Sequence, residues 1–192
     1  MKRTLAAALK VFLFTAGFIS ALWFFLPWRE AGKAVMSLAY SRLSSSGMRM
    51  NYSDISGESD GFTVHNLALN GMVNFRFSSV TLRPRIAASI LSLAPVCDVS
   101  FKGGSVQLGM SINFGDGGVL VTAGRSEILL ENLRTNGDFA LNGWLAVNPQ
   151  AMKISRADAR LNVPESFSQN MSMLQNFLPI VQEGNRWYLR RN

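Results

Sequence analysis

Cysteine and histidine are almost missing from this chain: 192 residues hold one of each, Cys97 and His65. A lone cysteine excludes an internal disulfide framework, and the two together leave too few soft ligands for a zinc site. No HExxH, CxxC or aspartate cluster with metal-ligand spacing occurs, so no metal and no cofactor are expected. A nucleophilic triad needs a base beside its nucleophile, and no carboxylate clusters around His65, which reads as a strand or loop residue. No catalytic, cofactor-binding or metal-binding residue is assigned, and the chain is read as not an enzyme. Acidic residues are also few, 12 against 19 Lys+Arg, for a formal net charge of +7. At 192 residues there is room for one globular domain plus an appendage, and 48% hydrophobic residues is too many for a disordered chain.

What is present begins with an apolar stretch. After Met1-Lys2-Arg3-Thr4, no charge interrupts the seventeen residues from Val11 to Pro27. At about 1.5 Å per residue that run spans roughly 26 Å, slightly less than a hydrocarbon core of about 30 Å. Extension back through Leu5–Leu9 closes the gap, with Lys10 snorkelling to the headgroups. Trp23 and Trp28 fall where indoles favour a membrane interface, and Pro27 ends the helix. The run is too long for a signal-peptide core, and the small-residue triplet Gly32-Lys33-Ala34 lies behind Trp28, Arg29 and Glu30. The expectation is a cytoplasmic stub and uncleaved transmembrane anchor over residues 1–28, with the rest of the chain exported. Lys2, Arg3 and Lys10 precede the exported part, leaving it 16 basic against 12 acidic residues. That mild excess suits a neighbouring anionic membrane; nucleic acid is not an expected partner. Cys97 suits an oxidising compartment because it has no partner to mispair with, and between Val96 and Val99 it reads as a small buried hydrophobe.

Residues 29–47 read as a juxtamembrane amphipathic helix. Ala31, Val35, Leu38 and Arg42/Leu43 recur at helical spacing, and Ser44-Ser45-Ser46-Gly47 ends the segment with a left-handed cap. Such a stripe favours packing against the first strands. From Met48 to Asn192 the period becomes two. Phe62-x-Val64 and Leu67-x-Leu69 alternate with a slip at His65-Asn66 that predicts a bulge. Asn70-Gly71 predicts a hairpin before Val73-x-Phe75-x-Phe77 and Val80-x-Leu82. Val99-x-Phe101, Val106-x-Leu108, Val119-x-Val121, Ile128–Leu133, Phe139-x-Leu141, Leu145-x-Val147, Ala157–Val163 and Arg186–Arg190 continue the series, the last with Trp187 and Leu189 inward. Gly115-Asp116-Gly117-Gly118 reads as a turn between strands, not as a phosphate loop, because no helix follows it. Two helical segments interrupt: Pro84–Ala94, and Glu165–Leu178 with Phe167, Met171, Leu174 and Leu178 on one face. The fold class expected is mainly β: a transmembrane helix followed by a curved antiparallel sheet with two or three short helices.

Three small charged groups remain. Asp54, Glu58 and Asp60 fall in a Ser/Gly-rich stretch and read as a solvated turn rather than a cation site. Arg83-Pro84-Arg85 and Arg190-Arg191 are basic spots of the kind that meet lipid phosphates, an acidic partner or plain water.

The order of landmarks resembles a known family. Phe25-Leu26-Pro27-Trp28 closes the apolar segment. A short helix precedes Gly61-Phe62-Thr63-Val64-His65-Asn66-Leu67-Ala68-Leu69. Then come Val80-Thr81-Leu82-Arg83-Pro84, a short helix, Phe101-Lys102-Gly103-Gly104-Ser105-Val106, and Gly137-Asp138-Phe139-Ala140-Leu141-Asn142-Gly143. This resembles the type II secretion system protein N family (GspN), itself similar to AsmA-like β-rich envelope proteins. The resemblance implies an inner-membrane-anchored, single-pass protein with a periplasmic domain and a non-catalytic structural or assembly role in protein secretion. It implies the inner membrane and secretion-machinery proteins as partners, and it carries no catalytic residue set. The alternative is a lipid-binding or lipid-transport groove on the apolar sheet face, with phospholipid as ligand.

Overall fold

Alternating apolar residues need a partner strand on each side and a cover on one face, and the chain supplies both by folding back on itself repeatedly. The computed structural model describes residues 10, 13–15, 17–18, 21, 23, 25–45, 47–71, 73–107, 111–151, 153–164, 179–184 and 186–191. Helix α1 (Trp28–Ser45) leads into β1 (Arg49–Asn51), β2 (Asp54–Gly57), β3 (Phe62–Asn70) and β4 (Asn74–Pro84). A short α2 (Ile86–Ser92) precedes β5 (Val96–Gln107), β6 (Ser111–Ala123), β7 (Ile128–Thr135), β8 (Ala140–Asn148), β9 (Lys153–Asn162), β10 (Ile180–Glu183) and β11 (Arg186–Arg191). All eleven strands form one antiparallel sheet, in the order β1-β3-β4-β5-β6-β7-β8-β9-β11-β10, with β2 also paired to β3. The mainly β, antiparallel expectation holds.

Register fixes what lies at each end. Gly57 pairs with Phe62, Phe62 with Leu82, Pro84 with Cys97, Val96 with Thr122, Ala123 with Ile128, Ile128 with Val147, and Asn148 with Lys153. One end of the sheet therefore carries the β2–β3 loop, α2, the β6–β7 turn and the β8–β9 turn. The backbone bond from Ala123 N–H to Pro95 C=O ties α2's exit to the β6–β7 turn.

Two apolar clusters hold the sheet. In the first, Trp28 and Met36 of α1 pack on Met50, Ile55, Phe62 and Val64, with Leu67 and Leu69 against them. The slip expected at His65-Asn66 is a left-handed residue, Asn66 with φ 51°. It resets the alternation so that Leu67 and Leu69 join the same cluster as Phe62 and Val64. The second cluster joins Val106 and Ile112, near the facing ends of β5 and β6, to Phe139, Ala157, Ala159, Ile180 and Leu189. β6 and β9 are three strand spacings apart, about 14 Å in a flat sheet. Phe139, between β7 and β8, links the two ends of the cluster, its N–H donating to Asn113 C=O on β6. Leu189 is buried and Trp187 packs on this cluster, as the alternation of the last strand predicts.

Several expectations need correction. Among the described residues no helix is long and apolar enough to cross a membrane. The transmembrane anchor expected over residues 1–28 is not upheld, nor is the single-pass inner-membrane location built on it. The physical reasons are visible at Pro27. Helical residues within 10–25 stop at Leu26-Pro27, and the helix that restarts at Trp28 carries Arg29, Glu30, Lys33 and Arg42. Trp23 and Trp28 meet edge to face at 4.4 Å, and Trp28 is buried in the first cluster, so the paired indoles are engaged in packing within the protein. The buried stripe of α1 is Trp28, Gly32 and Met36, while Val35 and Leu38 are exposed. Glycine at position 32 lets the helix approach Phe62 and Ile55, and that contact sets the rotation. The helix still ends as expected, with Gly47 at φ 78° and Met48 N–H donating to Leu43 C=O.

Gly115–Gly118 is not a turn; it lies inside β6, as Asn142-Gly143 lies inside β8. Gly117 sits where a β-carbon would come within 2.4 Å of the Arg134 carbonyl and 2.5 Å of the Phe101 ring, so the glycine serves close approach rather than reversal. The helix expected at Glu165–Leu178, with Phe167, Met171, Leu174 and Leu178, lies outside the described residues.

The α1 contact generates a test. A β-carbon on Gly32 would lie 2.8 Å from the Phe62 ring and 2.9 Å from Ile55 Cγ2. Gly32→Ala gains helix propensity of about 1 kcal/mol. Overpacking at this contact costs about 1–3 kcal/mol and outweighs that gain. Urea denaturation should show a lower midpoint for the variant; an unchanged or raised midpoint would mean that α1 is not seated on β2 and β3.

Candidate interaction surface

The hairpin that turns at Asn70-Gly71 places the residues before Phe62 opposite those after Leu82. Two groups noted separately in the sequence thereby meet. Arg83 Nη2 donates to Glu58 Oε2 at 2.7 Å and Arg83 Nε to Asp60 Oδ1 at 3.2 Å. The Thr63 hydroxyl donates to the other Glu58 oxygen at 2.5 Å and contacts the Thr81 hydroxyl at 2.7 Å. Next along the sheet, Arg85 pairs with Asp98. Asp54, the third acid of the stretch, pairs with Arg29 of α1 at 3.3 Å. The sequence marked this hairpin without fixing its register: a two-residue Asn-Gly loop would set Phe62 opposite Ser79, whereas Phe62 pairs with Leu82.

These residues border a groove of 470 Å³ on the polar face of the sheet, lined by Arg83, Arg85, Asp98, Ser100, Leu120 and Asn132 among others. Arg83, Asp98, Leu120 and Glu131 are successive cross-strand partners. Leu82, Val99 and Val119 are partners one residue along and point to the opposite, apolar face. Gly118, paired with Ser100, leaves a side-chain gap in the polar face. Asn132, an extra left-handed residue in β7 (φ 53°), bends the groove's far wall.

The electrostatics hold charges in place. The Thr63 hydroxyl first, then the Arg83 guanidinium, keep the Glu58 carboxyl below the usual glutamate range. The Glu58 hydrogen bond in turn raises Arg83. Elsewhere on the same end, Arg156 and then Ser155 lower Glu127. A general acid or base works best with a pKa near the working pH. Glu58 and Glu127 are displaced away from it, so they suit fixed ion pairs rather than proton transfer. His65 sits on β3 with Nε2 2.9 Å from the Ser56 hydroxyl. Cys97 is half-buried on β5, and burial pushes its thiol pKa up, which suppresses the thiolate. Arg190 pairs with Glu183 and with Asp158 and lies over the Tyr188 ring. Among the described residues, no group of three or more His, Cys, Asp or Glu could hold a metal ion.

Because Glu58 is depressed in the folded state, its contribution to stability is fully present above the ordinary glutamate value of 4.5 and is lost as the pH falls through the lower folded value. The melting temperature of the native chain should therefore fall on acidification below about 4.5. Glu58→Gln should flatten that part of the profile and lower the melting temperature at pH 7. Superimposable profiles for the two proteins would remove Glu58 from the network.

A family model described as Type II secretion system protein GspN-like, Synergistales, matches residues 2–191. No curated protein matches the chain, and no solved structure does. The match runs through α1 and every strand of the sheet, groove included, and on that extent the chain belongs to the GspN-like family of type II secretion system proteins.

Proposed function

We propose that this chain is a non-catalytic, structural or assembly component of a type II secretion apparatus, and that it acts by presenting its sheet to other proteins of that apparatus. The observation that carries the reading is the extent of the family match, which takes in all eleven strands. Two physical features support it. Part of the polar face is held by ion pairs, Glu58 and Asp60 with Arg83 and Asp98 with Arg85, which suits a fixed recognition surface. The sheet is open: β10 has β11 on one side and no strand partner on the other among the described residues. Val181 on that strand is 43% exposed. A free strand edge is a template for strand addition by a partner.

A second reading rests on the apolar face. Val99, Val119, Val121 and Leu130 share that face through the pairs Val99–Val119 and Val121–Leu130. They are half-buried and belong to neither core cluster. An apolar strip between two cores has the chemistry of an acyl-chain groove. Native mass spectrometry separates the readings, since bound phospholipid supports the groove and its consistent absence removes it.

For the first reading, deletion of the gene should reduce the export of type II substrates. A photo-crosslinking residue at Val181 or Leu120 should capture a subunit of the apparatus in cells. Normal secretion by the deletion strain would overturn it.

A further inference from the structure

Three Asn-Gly dipeptides occur in the chain: Asn70-Gly71, Asn136-Gly137 and Asn142-Gly143. Each has the same intrinsic chemistry. A glycine nitrogen has no side chain beside it, so it can reach the carbonyl carbon of the preceding asparagine side chain and displace ammonia. The reaction needs a glycine N–H that is free to lose its proton. It also needs a backbone free to turn toward the side chain. The fold grants those conditions unequally.

Asn142-Gly143 lies inside β8. Asn142 pairs with Arg134 on one side and Arg160 on the other, and Gly143 with Leu133 and Ala159. A β-carbon on Gly143 would collide with the Asp158 carbonyl and with Ala159, so the backbone is enclosed. Asn136-Gly137 is held by hydrogen bonds. Asn136 Oδ1 accepts from Asp116 N–H at 2.7 Å, Asn136 N–H donates to Asp116 C=O at 3.0 Å, and Gly137 N–H donates to Phe114 C=O at 2.7 Å. The side chain and the attacking nitrogen are both engaged. Asn136 and Asn142 are exposed and Asn70 is half-buried, so exposure does not rank the three pairs; backbone restraint does.

Asn70-Gly71 is under less restraint. β3 ends at Asn70 and β4 begins at Asn74, so Gly71 lies in the turn, outside the ladder. Its N–H donates to the Asn74 side-chain oxygen at 3.2 Å, an exposed bond that water replaces at little cost. The Asn70 side-chain amide has no hydrogen bond among the described residues.

We infer that Asn70 is a site of spontaneous covalent modification. The Gly71 nitrogen, having lost its proton to solvent, attacks the Asn70 side-chain carbonyl carbon. The bond from that carbon to the side-chain nitrogen breaks, ammonia leaves, and a cyclic imide joins the two residues. Water then adds to either imide carbonyl, and ring opening gives aspartate or isoaspartate. Water is the only co-reactant, and nothing is oxidised or reduced. Aspartate at position 70 places a carboxylate opposite Arg49, its cross-strand partner on β1. Isoaspartate lengthens the backbone at the same point. Met50, next to Arg49, is buried under α1, so the modification abuts the first apolar cluster.

The test ages the full chain in mildly alkaline buffer and locates the amide-to-acid mass change by peptide mapping. In the folded chain Asn70 should convert faster than Asn136 and Asn142 by roughly tenfold or more, because those two react only through local opening of the sheet. In urea, which releases all three from the fold, the rates should come together. Asn74→Ala frees the Gly71 N–H and should speed conversion at Asn70. Gly71→Ala adds a side chain beside the nitrogen and should slow it. Conversion of Asn136 or Asn142 as fast as Asn70 in the folded chain would overturn the inference. So would an Asn70 that folding protects by the same factor as the other two.

Discussion

A strand alternates its side chains with a strict period of two, so one irregular residue sends everything after it to the opposite face. This sheet uses that sensitivity constructively. Asn66 in β3, Gly103 in β5, Gly115 in β6 and Asn132 in β7 all have positive φ, each near the middle of a long strand. Asparagine tolerates this region because its short polar side chain bonds locally. Asn66 does so, with Nδ2 donating to the Ser53 hydroxyl at 3.0 Å while Ser53 N–H donates to His65 C=O at 3.0 Å. That exchange also fills the gap between β1 and β2, the two short strands that share β3 as a neighbour. Without the reset at Asn66, Leu67 and Leu69 would face away from α1 and the first cluster would lose half its floor.

The same irregularities explain how so broad a sheet buries anything. Among the described residues the long helix α1 covers β1, β2 and β3. Bulges concentrate bending in a sheet. The register breaks between Phe101 and Ser105, between Gly118 and Leu120, and between Leu130 and Leu133 fall on neighbouring strands. The outcome is two separate clusters, one under α1 and one where β5 and β6 reach β9–β11. The half-buried strip of Val99, Val119, Val121 and Leu130 lies between them. The polar face is where the ion pairs accumulate.

Much of this was legible in the alternation: the strands, the bulge at Asn66, the Gly47 cap, the Asn70-Gly71 hairpin and the inward Trp187 and Leu189. The misreadings share one cause. Glycine marks both turns and places where backbones crowd, and local sequence does not separate them. Gly115–Gly118 looked like a reversal because what crowds Gly117, the Phe101 ring and the Arg134 carbonyl, is remote in sequence. Gly32 misled in the same way. Periodicity alone gave α1 a stripe through Val35 and Leu38, whereas the approach to Phe62 rotates the buried face onto Trp28, Gly32 and Met36. The Glu58–Arg83 pairing depends on a β3–β4 register that the Asn-Gly signal misses by three residues, and the pairing of Asp54 with Arg29 depends on the helix docking.

The apolar N-terminal run is the instructive case. Hydropathy counts apolar residues without asking what they touch. Trp23 and Trp28 carry the aromatic signature of a membrane boundary, yet the fold places their rings against each other beside Phe62 and Met36. An indole packed in a protein core and one at a lipid interface satisfy the same composition rule. What distinguishes them is whether the neighbouring element supplies a complementary apolar surface, and β2 and β3 supply it. Apolar surface is left unmatched at several separate places: Phe14, Phe18 and Phe25 before α1, Val35 and Leu38 on its outer face, Ile90, Leu91 and Leu93 at α2, and Val181 on β10. The sheet thus separates an apolar face, closed by α1 over β1–β3, from a polar face that carries the ion pairs of Arg83 and Arg85.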